Sequence, residues 1–426
     1  MLRSLALSFL ATLAITSPVP ITDKGNVQIY KRSWDYQDDV IRGVNLGGWL
    51  VIEPFITPSL FEAFGSDESK IPVDEYHYTQ YLGKELAFDR LNQHWSSWIT
   101  EDDFKSIAGT GLNFVRIPVG YWAFALKDDD PYVQGQLPYL DQAVEWARDA
   151  GLKVWIDLHG APGSQNGFDN SGLRDSYKFQ EPDNLELTYK VLDSFFSRYS
   201  DSKYDDVIIG LEVLNEPLGP VLNLDELNEF WAKGYEILRK YTSSQNYIIH
   251  DGFTAAGYFD GKFLLPDYYQ VVIDHHHYQV FSTSELQLSL DEKIKVVCEW
   301  GNQATSEYHW NVAAEWSSAL TDCSKWVNGV GKGSRYDQTF YSDPSDNYAY
   351  IGSCSGVSDI TTWSQDTKNE YRRYIEAQFD AFEKRGGWVF WTWKTESAGD
   401  WDFQKLYYHS VVPVPLTARD YPGQCN

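Results

Sequence analysis

The chain reads as an α/β protein, a (β/α)8 TIM barrel with extended loops at its C-terminal face. Three observations predict this. Short apolar runs rich in β-branched residues recur between amphipathic helical stretches, the alternation expected of parallel strands joined by crossover helices. The runs number eight, at residues 40–45, 113–118, 153–158, 207–214, 247–250, 271–277, 311–315 and 388–391. No Gly-x-Gly-x-x-Gly follows the first run, which removes the main reason to prefer a doubly wound dinucleotide fold.

Helices are expected at 139–150, 185–199, 224–240 and 368–384, the first of them stopped by Gly151. Segments 53–112 and 316–367 are expected as extended loops that wall the C-terminal face. The 426 residues have room for one large barrel or two ordinary domains, and with no short-period repeat, low-complexity tract or Pro/Ser-rich linker after residue 33 one domain is the simplest reading. A hydrophobic fraction of 43% and an aromatic fraction of 16% supply a large core rich in flat side chains.

The N-terminus carries Arg3, an apolar run from Leu5 to Ile15, and small residues at Thr16 and Ser17. That pattern is a secretory signal, expected over residues 1–17, and is too short for a permanent membrane span. Lys31-Arg32 is a dibasic processing site, so 18–32 is expected as a propeptide and 33–426 as a single catalytic domain. Removing residues 1–32 takes away four basic residues and one acidic one, leaving 31 Lys+Arg, 60 Asp+Glu and a formal charge of −29. Nucleic acid and anionic membranes would be repelled, whereas a neutral polymer would not. Four cysteines, Cys298, Cys323, Cys354 and Cys425, allow three pairings, and two disulfides are the default for an exported chain. No Asn-x-Ser/Thr sequon occurs.

The most informative stretch is Val207-Ile208-Ile209-Gly210-Leu211-Glu212-Val213-Leu214-Asn215-Glu216-Pro217. β-branched residues run up to Leu214 and Pro217 cannot donate to a ladder, so Asn215 and Glu216 fall where strand becomes loop. In a parallel barrel that rim is the catalytic face. Cleaving a glycosidic bond needs one carboxyl group to protonate the leaving oxygen and another to act as nucleophile or base. Glu216 is assigned as acid/base, with Asn215 beside it able to reach a sugar 2-hydroxyl.

Two segments compete to supply the second carboxylate. Ile294-Lys295-Val296-Val297-Cys298-Glu299-Trp300 and Trp310-Asn311-Val312-Ala313-Ala314-Glu315-Trp316 both read as strands ending in Glu-Trp. A crossover takes a dozen or more residues, which leaves Glu299 a bare minimum after His277 and Glu315 ample room, but local pattern alone leaves both open. The run His275-His276-His277-Tyr278 suggests a metal site at first sight. Strand alternation instead puts His276 with Asp274 and Tyr278 on one face and His275 with His277 on the other, and no neighbouring spacing completes a coordination shell. No metal and no cofactor are expected.

Arg42-Gly43-Val44-Asn45-Leu46-Gly47-Gly48-Trp49, Val115-Arg116-Ile117-Pro118, Leu214-Asn215-Glu216-Pro217 and Trp388-Val389-Phe390-Trp391 together resemble glycoside hydrolase family 5. Within it the chain is most similar to the secreted exo-β-1,3-glucanases of yeasts, from about Trp34 to Cys425. Gly160-Ala161-Pro162-Gly163-Ser164-Gln165-Asn166-Gly167 and Glu315-Trp316-Ser317-Ser318-Ala319-Leu320-Thr321-Asp322-Cys323 carry the resemblance most specifically.

The resemblance implies Glu315 as nucleophile, because the family's nucleophile opens the motif through Ala-Leu-Thr-Asp-Cys, and it leaves Glu299 non-catalytic. The family usually has Gly where this chain has Ala314. It further implies that Arg116 and His159 surround the nucleophile and the first sugar, and that His276 and Tyr278 lie at the catalytic centre with Tyr278 bonded to the nucleophile. Phe168 and Phe281 would clamp a glucose ring at the pocket mouth, Trp391 would floor the site, and Glu53, Asp169 and Asn170 would bind the non-reducing-end hydroxyls and close the pocket. The implied disulfides are Cys298–Cys425 and Cys323–Cys354, the second closing a loop worth roughly 3–4 kcal/mol in the chain-entropy model.

A secreted, monomeric, retaining exo-β-1,3-glucanase acting on β-1,3-glucan is therefore expected, with transglycosylation as a side activity. Alternatives are a family 5 β-glucosidase or β-1,6-glucanase, or a catalytically silent glucan-binding wall protein.

Overall fold

The computed structural model describes residues 34–341 and 349–426, together with the backbone of a small antiparallel pair, Ile21–Asp23 with Asn26–Gln28. The expected signal at 1–17 and the rest of the 18–32 segment lie outside the described residues.

Eight parallel strands close into a barrel: β1 Ile41–Asn45, β2 Phe114–Gly120, β3 Lys153–Gly160, β4 Ile208–Glu212, β5 Asn246–His250, β6 Val271–His277, β7 Trp310–Trp316 and β8 Gly387–Phe390. They pair in sequence order, and β8 closes the ring against both β7 and β1. Period-2 alternation then sorts the interior into storeys. Phe114, Trp155, Val272 and Val312 fill the floor in one apolar cluster. Two residues further along, on the same inward face, stand Arg116, Asp157 and Asp274, all fully buried. A charged storey thus sits above a greasy one, and catalytic polarity is built from the strands themselves.

The outward faces of the strands pack on a helical layer that includes Leu137–Ala150, Pro182–Tyr199, Leu224–Leu238 and Gln365–Phe382, close to the expected bounds. Two expectations are corrected. Residues 294–300 are no strand, because they lie inside the helix Leu290–Ala304. A Ser289–Glu292 capping box starts that helix, and Ile294, Val297 and Gly301 bury one face at helical spacing. Segment 53–112 is not an extended loop, since it holds helices Glu75–Leu82, Lys84–Ser97 and Glu101–Gly109. Their starts are set by the Asp74 cap, the break at Gly83 and the Thr100–Asp103 capping box.

Disulfides join Cys298 to Cys425 and Cys323 to Cys354. The first fastens the helix Leu290–Ala304 to the chain's last residues, and the second pinches the segment that follows β7. Among the described residues, no helix is long and apolar enough to cross a membrane.

Burial and partnering set a pH dependence for this fold. Burial disfavours the charged form of His275, but its hydrogen bonds to Asp251 at 2.7 Å and Glu307 at 2.9 Å outweigh that and push it up to about 10. Burial pushes Glu75 up to about 8, and Asp169 and Asp400 up to about 7. All four folded values are raised, so the folded chain keeps protons that the unfolded chain releases. Stability from these groups is present below their unfolded values and is lost as pH rises through the folded ones. Histidines His94, His250 and His277, which burial lowers to about 4, act oppositely, but only below the ordinary histidine value of about 6.5. The melting temperature is therefore expected to fall between about pH 6.5 and pH 8, and calorimetry across that window checks it; a rise would contradict these assignments.

Candidate active site

At the C-terminal mouth of the barrel a cavity of about 540 Å³ is lined by Glu53, Phe168, Asp169, Asn170, Glu216, Tyr278, Phe281, Glu315 and Trp391. Glu216 follows β4 and Glu315 stands near the end of β7, so both project from strand ends. The backbone at Glu216 is left-handed, with φ of 43°. Such a conformation costs a non-glycine residue free energy and persists only where neighbours fix it. Here Asn215 N–H donates to Leu158 O at 2.9 Å, and the Gln165 amide donates to both His159 O and Asn215 O at 2.9 Å.

Arg116 organises the storey beneath. Its Nε donates to Glu212 at 2.7 Å, Nη1 to Glu315 at 2.9 Å and to Asn45 at 3.1 Å, and Nη2 to Asn215 Oδ1 at 2.8 Å. Asp157 and Asp274 approach Nη2 at 3.1 and 3.6 Å. One guanidinium thus faces four buried carboxylates, a geometry that a point-charge lysine would not satisfy. Because Arg116 holds Asn215 by its oxygen, the Asn215 Nδ2 is left buried without a protein partner.

His276 lies between the two rim carboxylates. Its Nδ1 is 2.7 Å from Glu216 Oε1 and 3.4 Å from Glu315 Oε2, so these oxygens are at most the two distances end to end apart, about 6.1 Å. Its Nε2 faces Asp274 at 3.3 Å. Tyr278 O–H donates to Glu315 Oε2 at 3.0 Å, and Asn170 Nδ2 donates to Glu216 Oε2 at 2.9 Å. Burial alone would raise Glu216, but the hydrogen bond and charge of His276 bring it down to about 2. Burial lifts Glu315 above the usual carboxylate value, with His276 and Arg116 pulling it back. His276 itself is held well above its ordinary value: burial opposes its charge, and Glu315, Asp274 and Glu216 overcome that opposition.

His159 bonds Asp157 at 2.6 Å through Nδ1 and lies parallel to Trp391, with ring centres 5.5 Å apart. Its Nε2 is buried without a protein partner. Burial, together with the neighbouring Asp169, Glu315 and Glu216, holds the Glu53 carboxyl well above the usual range. A protonated Glu53 is a hydrogen-bond donor as well as an acceptor.

All the residues expected from the sequence converge here. Asn170, expected on sugar hydroxyls, also spends its amide on Glu216. Glu299 is elsewhere, on a helix, with its side chain 65% exposed and paired to Lys295 at 3.7 Å. Ala314 occupies the bulge where β6 and β7 lose register. Its methyl packs in the floor cluster, while its N–H donates to Asp274 at 3.2 Å and its carbonyl accepts from Asn45 at 2.9 Å. Bulges of this kind re-aim the following side chain, and here that side chain is Glu315.

Two residues went unnoticed in the sequence. Phe253 has a left-handed backbone, stands 39% exposed at the mouth and packs edge-on against His250 at 5.0 Å. His250 brings a third ligand-type atom within 4.8 Å of those of Glu216 and His276. Gly252 N–H donates to His250 Nδ1 at 3.0 Å, so Nε2 carries the proton and offers no lone pair to a cation. His276 is likewise committed to carboxylates on both nitrogens. The donor set does not suit a metal ion.

Residues 79–334 match the family model described as Cellulase (glycosyl hydrolase family 5). A Glucan 1,3-beta-glucosidase 2 of Wickerhamomyces anomalus is 63% identical over the whole of both chains. The Glucan 1,3-beta-glucosidase I/II of Saccharomyces cerevisiae is 53% identical, covering 97% of this chain and 95% of that one. Among solved structures, a rutinosidase from Aspergillus niger superposes with a TM-score of 0.70 at 17% identity, covering 89% of this chain and 99% of its own. That likeness concerns the fold.

Proposed function

The chain belongs to glycosyl hydrolase family 5, and from that premise we propose that it is a secreted, retaining exo-β-1,3-glucanase releasing glucose from non-reducing ends. The substrate linkage is taken from its relatives, named as glucan 1,3-β-glucosidases. Secretion is supported by the signal pattern at the N-terminus and by the two disulfides.

One observation carries the mechanism: the Glu216 and Glu315 carboxylates share the Nδ1 of His276, at 2.7 and 3.4 Å. These two oxygens therefore lie no more than about 6.1 Å apart, closer than the roughly 6.5–9.5 Å that seats a water between two carboxyl groups, as inversion requires. Glu315 attacks the anomeric carbon, its charge held by Arg116 Nη1 and Tyr278 O–H. The leaving oxygen takes its proton from Glu216. The 2.7 Å hydrogen bond between His276 Nδ1 and Glu216 Oε1 gives Glu216 a partner from which that proton can be supplied. In the second step Glu216 takes a proton from water, and the glucosyl–Glu315 ester is hydrolysed.

Asn215 Nδ2, buried and unpartnered, suits a sugar 2-hydroxyl. Trp391 gives the first glucose its platform. Glu53, Asp169 and Asn170 take the terminal hydroxyls, and Phe168 and Phe281, 40% and 41% exposed, flank the unit beyond the scissile bond.

A slow 2-deoxy-2-fluoroglucosyl fluoride tests the scheme. Accumulation of a covalent adduct whose label maps to the peptide containing Glu315 is expected. A label on another residue, or α-glucose as the first-formed product, would overturn it.

A further inference from the structure

Lys293 is 3% exposed, near the start of the helix Leu290–Ala304 behind the β6 rim. Its ammonium donates to Gln279 O and to Glu285 O, each at 2.7 Å. The Gln279 side chain returns a bond to Lys293 O at 3.1 Å. Glu285, on the same loop, is the charge that acts favourably on the ammonium, but the ammonium's hydrogen bonds go to main-chain carbonyls. Burial pulls its pKa down to about 8. A buried cation is costly unless its N–H groups are satisfied, so its two carbonyl acceptors must matter to the fold around them.

Those acceptors bracket Phe281. The loop between them leaves β6 through Tyr278, exposes Phe281 to the cavity and ends in the capping box of Ser282 and Glu285. Phe281 packs edge-on against Tyr278 with ring centres 5.6 Å apart and at a tilt against Trp401 at 6.2 Å. Only a donor with several N–H groups on a long stem can join both ends of this loop to the helix. A neutral aliphatic side chain there would leave both carbonyls buried and unsatisfied.

We propose that Lys293 is a positioning residue for the acceptor side of the site, clamping the loop so that the Phe281 ring is set against the sugar that follows the scissile bond. The inference rests on the reading of Phe281 as a sugar platform. The sugar in question is a neutral β-linked glucosyl unit, either the leaving portion of a glucan or an incoming acceptor. The first glucose, held deeper by Trp391 and Glu53, does not depend on the clamp.

Kinetics of Lys293→Met, Lys293→Gln, Phe281→Ala and the Lys293→Met/Phe281→Ala pair on a β-1,3-linked glucotriose and on β-glucosyl fluoride test this. The fluoride leaves the acceptor side empty. With Lys293→Met, KM for the trisaccharide is expected to rise roughly three- to tenfold, the worth of one aromatic contact. Lys293→Gln, which keeps a donor, should lie between, and kcat/KM on the fluoride should stay within about twofold. In the Phe281→Ala background the lysine substitution should add nothing further. Equal losses on both substrates in Lys293→Gln, or a full lysine effect in the absence of Phe281, would overturn the proposal. An unchanged trisaccharide KM in Phe281→Ala would instead sink the underlying reading of the phenylalanine.

Discussion

Glu315→Gln is expected to lose turnover almost completely, with kcat on a β-1,3-linked glucotriose down by on the order of 10⁴-fold or more. An amide cannot form the glucosyl ester, and no other carboxylate stands ready to replace it. Asp157, Asp274 and Glu212 are all engaged by Arg116 in the storey below. The fold should survive, because Gln keeps one oxygen for Arg116 Nη1, now 2.9 Å from Glu315 Oε1. Matching circular dichroism and a melting temperature near that of the wild type would establish that chemistry alone was lost. Glu299→Gln provides the control, since it alters only a solvated helix face and should leave kcat unchanged. Persistent full activity in Glu315→Gln would refute the nucleophile assignment, and a comparable loss in Glu299→Gln would reopen the choice between the two.

The second large effect belongs to Glu216→Gln, and it should depend on the leaving group. General acid catalysis contributes roughly 10²–10⁴-fold, so glucan hydrolysis should fall by about that factor. An aryl glucoside whose phenol leaves unaided should form the glucosyl-enzyme at nearly the normal rate and then stall, because no base activates water. A burst of phenol followed by slow turnover is the signature to look for. The variant should also shift His276, whose raised pKa depends in part on Glu216. NMR of the imidazole should show it losing its proton at a lower pH than in the wild type. A uniform loss on every substrate, without a burst, would argue against an acid/base role for Glu216.

The barrel was legible because each strand is a short β-branched run bounded by helical stretches, and all eight occur within about three residues of where the sequence places them. The segment around Glu299 was misleading for a specific reason. Ile294, Val296, Val297 and Trp300 satisfy period-2 and helical spacing alike, and only the Ser289–Glu292 capping box separates the two readings. The helices before β2 carried comparable signals in Asp74 and Thr100–Asp103, in a segment whose apolar residues mark no barrel strand. Within the site, residues at strand ends could be placed from order along the chain, and the family resemblance supplied their roles. Phe253 could not, because its place depends on how the turn after β5 folds back against His250, and His250, although it ends β5, is brought into the site only through its contact with His276 on β6. Lys293 was equally hidden, since both its acceptors are main-chain carbonyls.

The bond between Cys298 and Cys425 encloses β7, β8 and everything between them in one covalent ring. Within that ring, the bond between Cys323 and Cys354 closes a smaller one. A protease that cuts once anywhere inside the outer ring opens the chain without detaching either half. The strand bearing Glu315 and the one leading to Trp391 stay tethered to the rest, and a nicked molecule keeps its parts at the effective concentration of an intact one. Such a molecule can be cut and still not fall apart.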